Sequence, residues 1–148
     1  METIYEIQRI KQVVKEDELI NAEVIRSPDD CADIARSYIG DEDREIFLVL
    51  CLNTKNRVVA IHRCHVGSIN ASIVSPREVF KSAILNNAAS IIVSHQHPSG
   101  DPTESQEDIN VTRRLIESGK VLGIEVLDHV IIGGCTKSYV SLKEKGYI

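Results

Sequence analysis

Two histidines stand one residue apart near the middle of the chain, and a serine and an aspartate follow them closely. His95 and His97 precede the segment PSGDP at 98–102, which predicts a loop because proline, glycine and aspartate favour turns. Ser105 and Asp108 stand at the predicted start of a helix. Imidazole nitrogens and a carboxylate oxygen are typical ligands of Zn²⁺, whereas a packed core has no need of this combination. The stretch therefore predicts a metal site.

The spacing of these residues favours an open zinc site. His95 and His97 lie at the end of a predicted strand, where residues i and i+2 point to the same side. Asp108 can add a carboxylate from another direction; its alternative role is a helix-capping acid, and Asp101 is a competing carboxylate that is more typical of a turn. Three protein ligands leave a fourth position for water, whose pKa zinc lowers to roughly 7. We expect one zinc ion per chain.

Hydrolysis at such a site also needs a general base and a donor to the oxyanion. Ser105 lies three residues before Asp108 on the same helical face, so its hydroxyl can stand beside the metal; its alternative role is the helix N-cap. Glu45 is the preferred base because it immediately precedes an apolar strand, where partial burial would raise its pKa. Glu42 and Asp43 are alternatives, and a strand-edge glutamate is more often solvated surface.

The surrounding sequence predicts one α/β domain with a mixed sheet flanked by helices. Apolar segments predict strands at 44–53, 57–66, 90–93, 124–132 and 139–142. Helices are expected from Ser27-Pro28 to Gly40, from Ser75 through a capping box with Glu78, and from Ser105 to Ser118-Gly119. The first 26 residues are ambiguous between a strand and a helix that covers a sheet edge.

Composition limits the classes of function. The 148 residues suit a single domain, and the net charge of −5, with acids and bases interleaved, disfavours general nucleic-acid binding. The four cysteines form no CxxC pair, which favours reduced thiols over disulfides or cysteine-bound zinc. No apolar run is long enough to span a membrane, and the expectation is a cytoplasmic protein.

The pattern of a glutamate before an apolar strand, then H-x-H, seven residues and S-x-x-D resembles the JAMM (MPN+) metalloprotease motif. Its positions are filled by Glu45, His95, His97, Ser105 and Asp108. Three segments resemble more narrowly the bacterial RadC family: HQHPSGDPTESQED, LGIEVLDHVIIG and YVSLKEKGYI.

This resemblance implies a cytidine-deaminase-like sandwich at 27–148, with the segment 1–26 packing on it. It also implies zinc at His95, His97 and Asp108, Glu45 as base, Ser105 as oxyanion helper, and hydrolysis of a peptide or isopeptide bond. Longer RadC proteins carry an N-terminal helix-hairpin-helix region associated with DNA binding. We expect this short chain to lack that region, so its residues give the DNA-repair label no support.

Two other functions remain open: a zinc hydrolase acting on another amide or a DNA-related substrate, and a non-catalytic, DNA-repair-associated binding module. A zinc nucleobase deaminase is disfavoured, because the H-x-E…P-C-x-x-C signature is missing and His97 stands where its glutamate should be. The expected partner is a peptide or protein substrate, and an open strand edge near 57–68 would suit an extended peptide or a homodimer. His129 is expected in the core or supporting a metal ligand, and His62 and His65 on the hairpin surface.

Overall fold

The computed structural model describes residues 3–6, 12–14 and 24–148. Within them, five strands form one mixed sheet and three helices lie against it, which confirms the predicted α/β class. The elements are, in chain order, α1 (Pro28–Ile39), β1 (Ile46–Leu52), β2 (Val58–Val66), α2 (Pro76–Leu85), β3 (Ser90–Gln96), α3 (Gln106–Leu122), β4 (Glu125–Ile132) and β5 (Tyr139–Ser141). The sheet order is β2-β1-β3-β4-β5, and of these neighbours only β3 and β4 run parallel.

The sheet separates two hydrophobic cores, with α1 on one face and α2 and α3 on the other. All seven residues of β1 are buried, and alternate side chains enter opposite cores. Phe47 and Val49 pack with α2 and α3, whereas Leu48 and Leu50 pack with α1. Burial on both faces explains why β1 is a continuous apolar run rather than an alternating one.

Strand β3 extends further than the predicted 90–93 and carries part of the candidate site within it. It continues to Gln96, because Ser94, His95 and Gln96 pair with the parallel strand β4. On its other side β3 pairs antiparallel with β1, from Ser90 opposite Leu52 to Ser94 opposite Leu48. The candidate ligands therefore stand at the end of a central, buried strand.

Helices α1 and α2 begin where predicted, but the capping box predicted at Ser75 is wrong. Ser75 makes no side-chain cap hydrogen bond. Its carbonyl oxygen accepts from the amides of Glu78 and Val79, at 3.1 Å each, so the first turn is satisfied by main-chain contacts. In α1, by contrast, the side chain of Asp30 accepts from the amides of Arg26 and Ser27 and so caps the start of the helix.

The predicted end of α3 at Ser118-Gly119 is also wrong. The helix continues to Leu122 and ends at Gly123, which has the left-handed φ of 73° that glycine adopts readily. Gly119 lies inside the helix for a different reason. A Cβ there would overlap the carbonyl oxygen of Ile124 and lie 3.3 Å from the ring of Phe80.

Most of the segment 1–26, predicted to pack on the domain, lies outside the described residues. Its described end is attached to the sheet at Val24, which bridges Arg57, and Ile25 donates to the carbonyl of Asn56 at 2.8 Å. All four cysteines are free thiols. No helix in the described part of the chain combines the length and hydropathy needed to cross a membrane.

Gln96 joins β3 to the chain just before β1. Its buried amide oxygen accepts from the main-chain N–H of Ile46 at 2.8 Å, and its amide nitrogen donates to the carbonyl of Arg44. The two contacts lie on either side of Glu45. Gln96 thus fixes the backbone of the candidate base relative to the strand that carries the histidines.

We predict that Gly119→Ala destabilises the protein by about 1–3 kcal/mol, because the added methyl group has no space between α3 and Ile124. Alanine normally stabilises a helix interior by about 1 kcal/mol relative to glycine, so the expected sign is opposite to the usual one. Urea unfolding measures the difference. Lys120→Ala, at an exposed position of the same helix, is the control and should be nearly neutral. Equal or greater stability of Gly119→Ala would contradict the predicted clash.

We predict that Gln96→Leu lowers the free energy of unfolding by about 1–3 kcal/mol, because the amide of Ile46 and the carbonyl of Arg44 lose a buried partner. Urea unfolding of Gln106→Leu, an exposed glutamine, provides the comparison. If the two variants lose the same stability, the hydrogen bonds of Gln96 contribute nothing specific.

Candidate metal centre

His95 and His97 face one point, as their spacing predicted. Their Nε2 atoms lie 3.1 Å apart, and their ring centroids are separated by 5.0 Å. His95 is fully buried and stacks on the ring of Phe47, with centroids 6.2 Å apart and planes inclined by 20°. Packing therefore fixes the imidazole of His95 on β3, whereas His97 lies just after the end of that strand.

Asp108 faces both histidines from the start of α3. Its Oδ1 lies 3.1 Å from Nε2 of His95, and its Oδ2 lies 3.3 Å from Nε2 of His97. The same carboxylate caps the helix, because Oδ2 also accepts from the amide of Ser105 at 2.9 Å. Two oxygens allow Asp108 to play both roles that the sequence had set against each other.

The ionised form of Asp108 is strongly favoured. Burial by itself would raise the pKa of its carboxyl, but the contacts with His95 and His97 outweigh burial and hold the pKa well below the usual value. The pKa of His97 is raised, first by its contact with Asp108, although burial opposes the change. The site is thus arranged around one buried negative charge that attracts a cation.

The loop after His97 fixes the orientation of that ring. Nδ1 of His97 lies 2.8 Å from the carbonyl oxygen of Asp101, and a carbonyl can only accept, so Nδ1 carries a proton. In neutral His97 the lone pair is therefore on Nε2, which faces His95 and Asp108. The side chain of Asp101 accepts from Thr103 instead, at 2.7 and 3.0 Å, as expected of a turn-shaping residue.

Glu45 reaches the same site from the chain just before β1, which antiparallel pairing places beside the end of β3. Its Oε1 lies 3.9 Å from Nε2 of His97, and Glu45, His95 and His97 each offer one ligand atom within 4.8 Å of the other two. The Glu45 side chain is 28% exposed, against 3% for Asp108. The structure thus brings the distant glutamate to the histidines, at the open rim of the cluster.

Two imidazole nitrogens and two carboxylates form a donor set that fits zinc. The atoms that converge are electron-pair donors, and Nε2 of His97 and the oxygens of Asp108 need a shared cation, a proton or a metal ion, to lie so close. No thiolate takes part, so the arrangement differs from the usual closed structural zinc sites.

Ser105 lies at the N-cap of α3. Its Oγ accepts from the amide of Asp108 at 3.1 Å, which completes the capping box predicted from the sequence. This contact accounts for its local structural role. Assistance to an oxyanion remains a proposal for this hydroxyl.

Three residues around the site were missed or left open by sequence reasoning. The side chain of Gln96 binds main-chain groups on both sides of Glu45, as described above. The sequence left open whether His129 belongs to the core or supports a metal ligand. Its Nε2 lies 2.7 Å from Nδ1 of His95. Thr112 places Oγ1 2.6 Å from Nδ1 of His129, and its position one helical turn after Asp108 was the signal that could have suggested it.

The other histidines lie on the hairpin, as expected. His65 contacts the carbonyl oxygen of Ser68 through Nε2 at 3.2 Å, next to the turn that follows β2. His62 lies on β2 opposite Val49.

Comparison with known proteins places the whole arrangement in one family. A family model described as a RadC-like JAB domain matches residues 25–147. A UPF0758 protein of Geobacillus sp. (strain WCH70) is 56% identical over 125 residues, which cover 84% of this chain and 54% of that protein. A UPF0758 protein of Bacillus mycoides is 57% identical over 128 residues, with the same two coverages of 84% and 54%. The chain spans about half the length of these curated relatives.

The family match includes every strand and helix described above and all the candidate site residues. The five-stranded mixed sheet with helices on both faces is consistent with the JAB/MPN fold, and the resemblance noted in the sequence is confirmed. This chain belongs to the RadC-like JAB domain family.

Proposed function

We propose that this chain is a zinc-dependent hydrolase of the JAMM type that cleaves a peptide or isopeptide bond. The observation that carries the proposal is the convergence of Glu45 with His95 and His97, whose ligand atoms lie within 4.8 Å of one another. Asp108, within 3.3 Å of both histidines, completes the donor set. Membership in the RadC-like JAB family supports the same class of chemistry.

His95, His97 and Asp108 would hold one zinc ion. Asp108 is preferred over Glu45 as the third ligand because it lies closer to the histidines, at 3.1 and 3.3 Å against 3.9 Å, and is more deeply buried. When bound, zinc supplies a Lewis acid and a water of lowered pKa. The first turn of α3 and the end of β3 are both rigid elements, which suits ligands that must keep a fixed geometry.

Glu45 would act as the general base and acid. Its carboxylate is at the rim of the cluster, where it can take a proton from the attacking water and pass it to the leaving amine. Gln96 holds the backbone on both sides of Glu45 and so keeps this carboxylate within reach of the site. Ser105, at the N-cap of α3, would donate to the oxyanion that develops on the substrate carbonyl.

The proposed substrate is a peptide in extended conformation. Among the described residues, the outer edge of β2 is paired only next to its start, where Val24 bridges Arg57. At its other end Val66 pairs with Ile46, and Gly67 donates to the carbonyl of Glu45 at 2.8 Å. A peptide added along this edge would run toward the proposed base. A second copy of the chain, forming a homodimer, is the competing occupant of the same edge.

A peptide also suits the charge better than a nucleic acid does, since the chain carries a net charge of −5. The four free cysteines fit a reducing compartment, and we propose the cytoplasm as the site of action. Another amide or a DNA-related substrate would use the same residues. A screen of peptides, isopeptides and oligonucleotides with and without chelator separates these substrate classes, and equal partner binding after chelation would favour the non-catalytic module.

We predict that Glu45→Gln abolishes hydrolysis while zinc stays bound, because the amide cannot accept the proton of the water. Asp108→Asn should instead lose most of the zinc, since it removes the buried negative charge between the two histidines. Zinc content by elemental analysis and turnover of the best substrate from the screen measure the two effects.

Glu42→Gln is the matched control, because Glu42 is in the same acidic cluster but forms an exposed ion pair with Arg63 at 3.5 Å. It should retain both zinc and activity. Full activity of Glu45→Gln would show that the base has been wrongly assigned. Loss of zinc in Glu45→Gln but not in Asp108→Asn would exchange the roles of the two carboxylates.

A further inference from the structure

A chain of buried polar contacts runs from the back of His95 to the main chain of α3. Nδ1 of His95 lies 2.7 Å from Nε2 of His129, and Nδ1 of His129 lies 2.6 Å from Oγ1 of Thr112. Oγ1 of Thr112 lies 2.8 Å from the carbonyl oxygen of Asp108. All three side chains are fully buried, so water does not compete for these contacts.

The last contact in this series, from Thr112 to the main chain of Asp108, determines where each proton lies. The carbonyl oxygen of Asp108 can only accept, so Thr112 donates its single hydroxyl proton to it. The hydroxyl oxygen of Thr112 must then accept from Nδ1 of His129, which places the proton of the neutral His129 ring on Nδ1.

The proton between His129 and His95 is fixed in the same way. The 2.7 Å contact between Nε2 of His129 and Nδ1 of His95 needs one ring to donate a proton and the other to accept it. Nε2 of neutral His129 then has a lone pair and accepts from Nδ1 of His95. His95 is thereby left with the lone pair of Nε2, the nitrogen that faces His97 and Asp108.

We propose that Thr112 and His129 are positioning residues that hold His95 in the tautomer competent to bind a metal ion through Nε2. Asp108 then acts on the metal centre twice, through its carboxylate directly and through its main-chain carbonyl by way of Thr112 and His129. The proposal rests on the proposed function only in taking His95 as a metal ligand. Partners of this kind on the second nitrogen of a histidine ligand typically change metal affinity 10- to 100-fold.

A purely structural role predicts something different. A threonine that donates to the carbonyl four residues earlier in a helix, and a histidine packed on Phe47, would contribute to stability alone. Such a role would not depend on which nitrogen of His95 is protonated. The test must therefore measure tautomers and metal affinity separately from folding.

The central variant is Thr112→Val, which keeps the shape of the side chain but removes the hydroxyl. Nδ1 of His129 then has no acceptor, so the ring should shift its proton to Nε2 and His95 should shift its own to Nε2 as well. We expect zinc affinity, measured by competition with a chromophoric chelator, to fall 10- to 100-fold. Thr112→Ser restores the hydroxyl and should restore the affinity.

Tautomers are read directly in the zinc-free protein from the ring nitrogen shifts of ¹⁵N-histidine-labelled samples. In the unmodified chain Nδ1 of both His95 and His129 should be protonated, and in Thr112→Val Nε2 should be. His129→Leu is a second variant that removes the acceptor for His95 and should weaken zinc binding similarly. Ser82→Ala, which loses a buried hydroxyl on α2 in contact with Cys51, is the control for general damage to the core, and thermal unfolding of each variant reports folding.

The outcomes separate the two proposals. If the unmodified chain binds no zinc, the proposed function fails, and the nitrogen shifts still test the tautomers. If it binds one zinc ion and Thr112→Val binds as tightly as Thr112→Ser, with unchanged tautomers, the positioning role is wrong and the proposed function stands. Weaker zinc binding in Thr112→Val than in Ser82→Ala, with the tautomer shift, supports the positioning role.

Discussion

The rest of the site depends on one buried carboxylate. An ionised group removed from water is tolerated only when opposite charge and hydrogen bonds compensate for the lost hydration. Asp108 receives a hydrogen bond from the amide of Ser105, and the remaining compensation comes from a proton or metal ion shared with its two histidine neighbours. Each partner belongs to the end of β3 or the start of α3, so the charge also determines how strand, loop and helix must meet. A cation between the donors, metal ion or proton, relieves the crowding of their lone pairs.

The sequence predicted the elements well where a local signal was decisive. The apolar run of β1 and the proline after Ser27 and Ser75 located strand and helix starts, and H-x-H with S-x-x-D located residues that converge in the candidate metal centre. The sequence prediction failed where tertiary packing, rather than a local signal, determines the structure. Gly119 looked like a helix end, yet it is a point of close approach to Ile124.

The supporting residues of the site could not be predicted for a related reason. Gln96 matters because antiparallel pairing brings the chain before β1 alongside the end of β3, and His129 matters because parallel pairing places β4 beside the same strand end. Neither contact follows from sequence spacing, since both depend on strand order and register. Thr112 was accessible in principle, because it is one turn after Asp108, but its significance depends on His129 being beside it.

The two carboxylates are suited to different tasks by how tightly they are held. Asp108 is nearly buried and each of its oxygens faces a nitrogen partner, so it resists protonation and keeps a fixed position, which suits a ligand. A general base must accept a proton and release it within one catalytic cycle, and a carboxylate with a strongly lowered pKa does this poorly. Glu45 contacts the cluster at 3.9 Å from an exposed rim, while Gln96 fixes only its backbone. A fixed main chain with a loosely held carboxylate suits the proton transfer that we propose for Glu45.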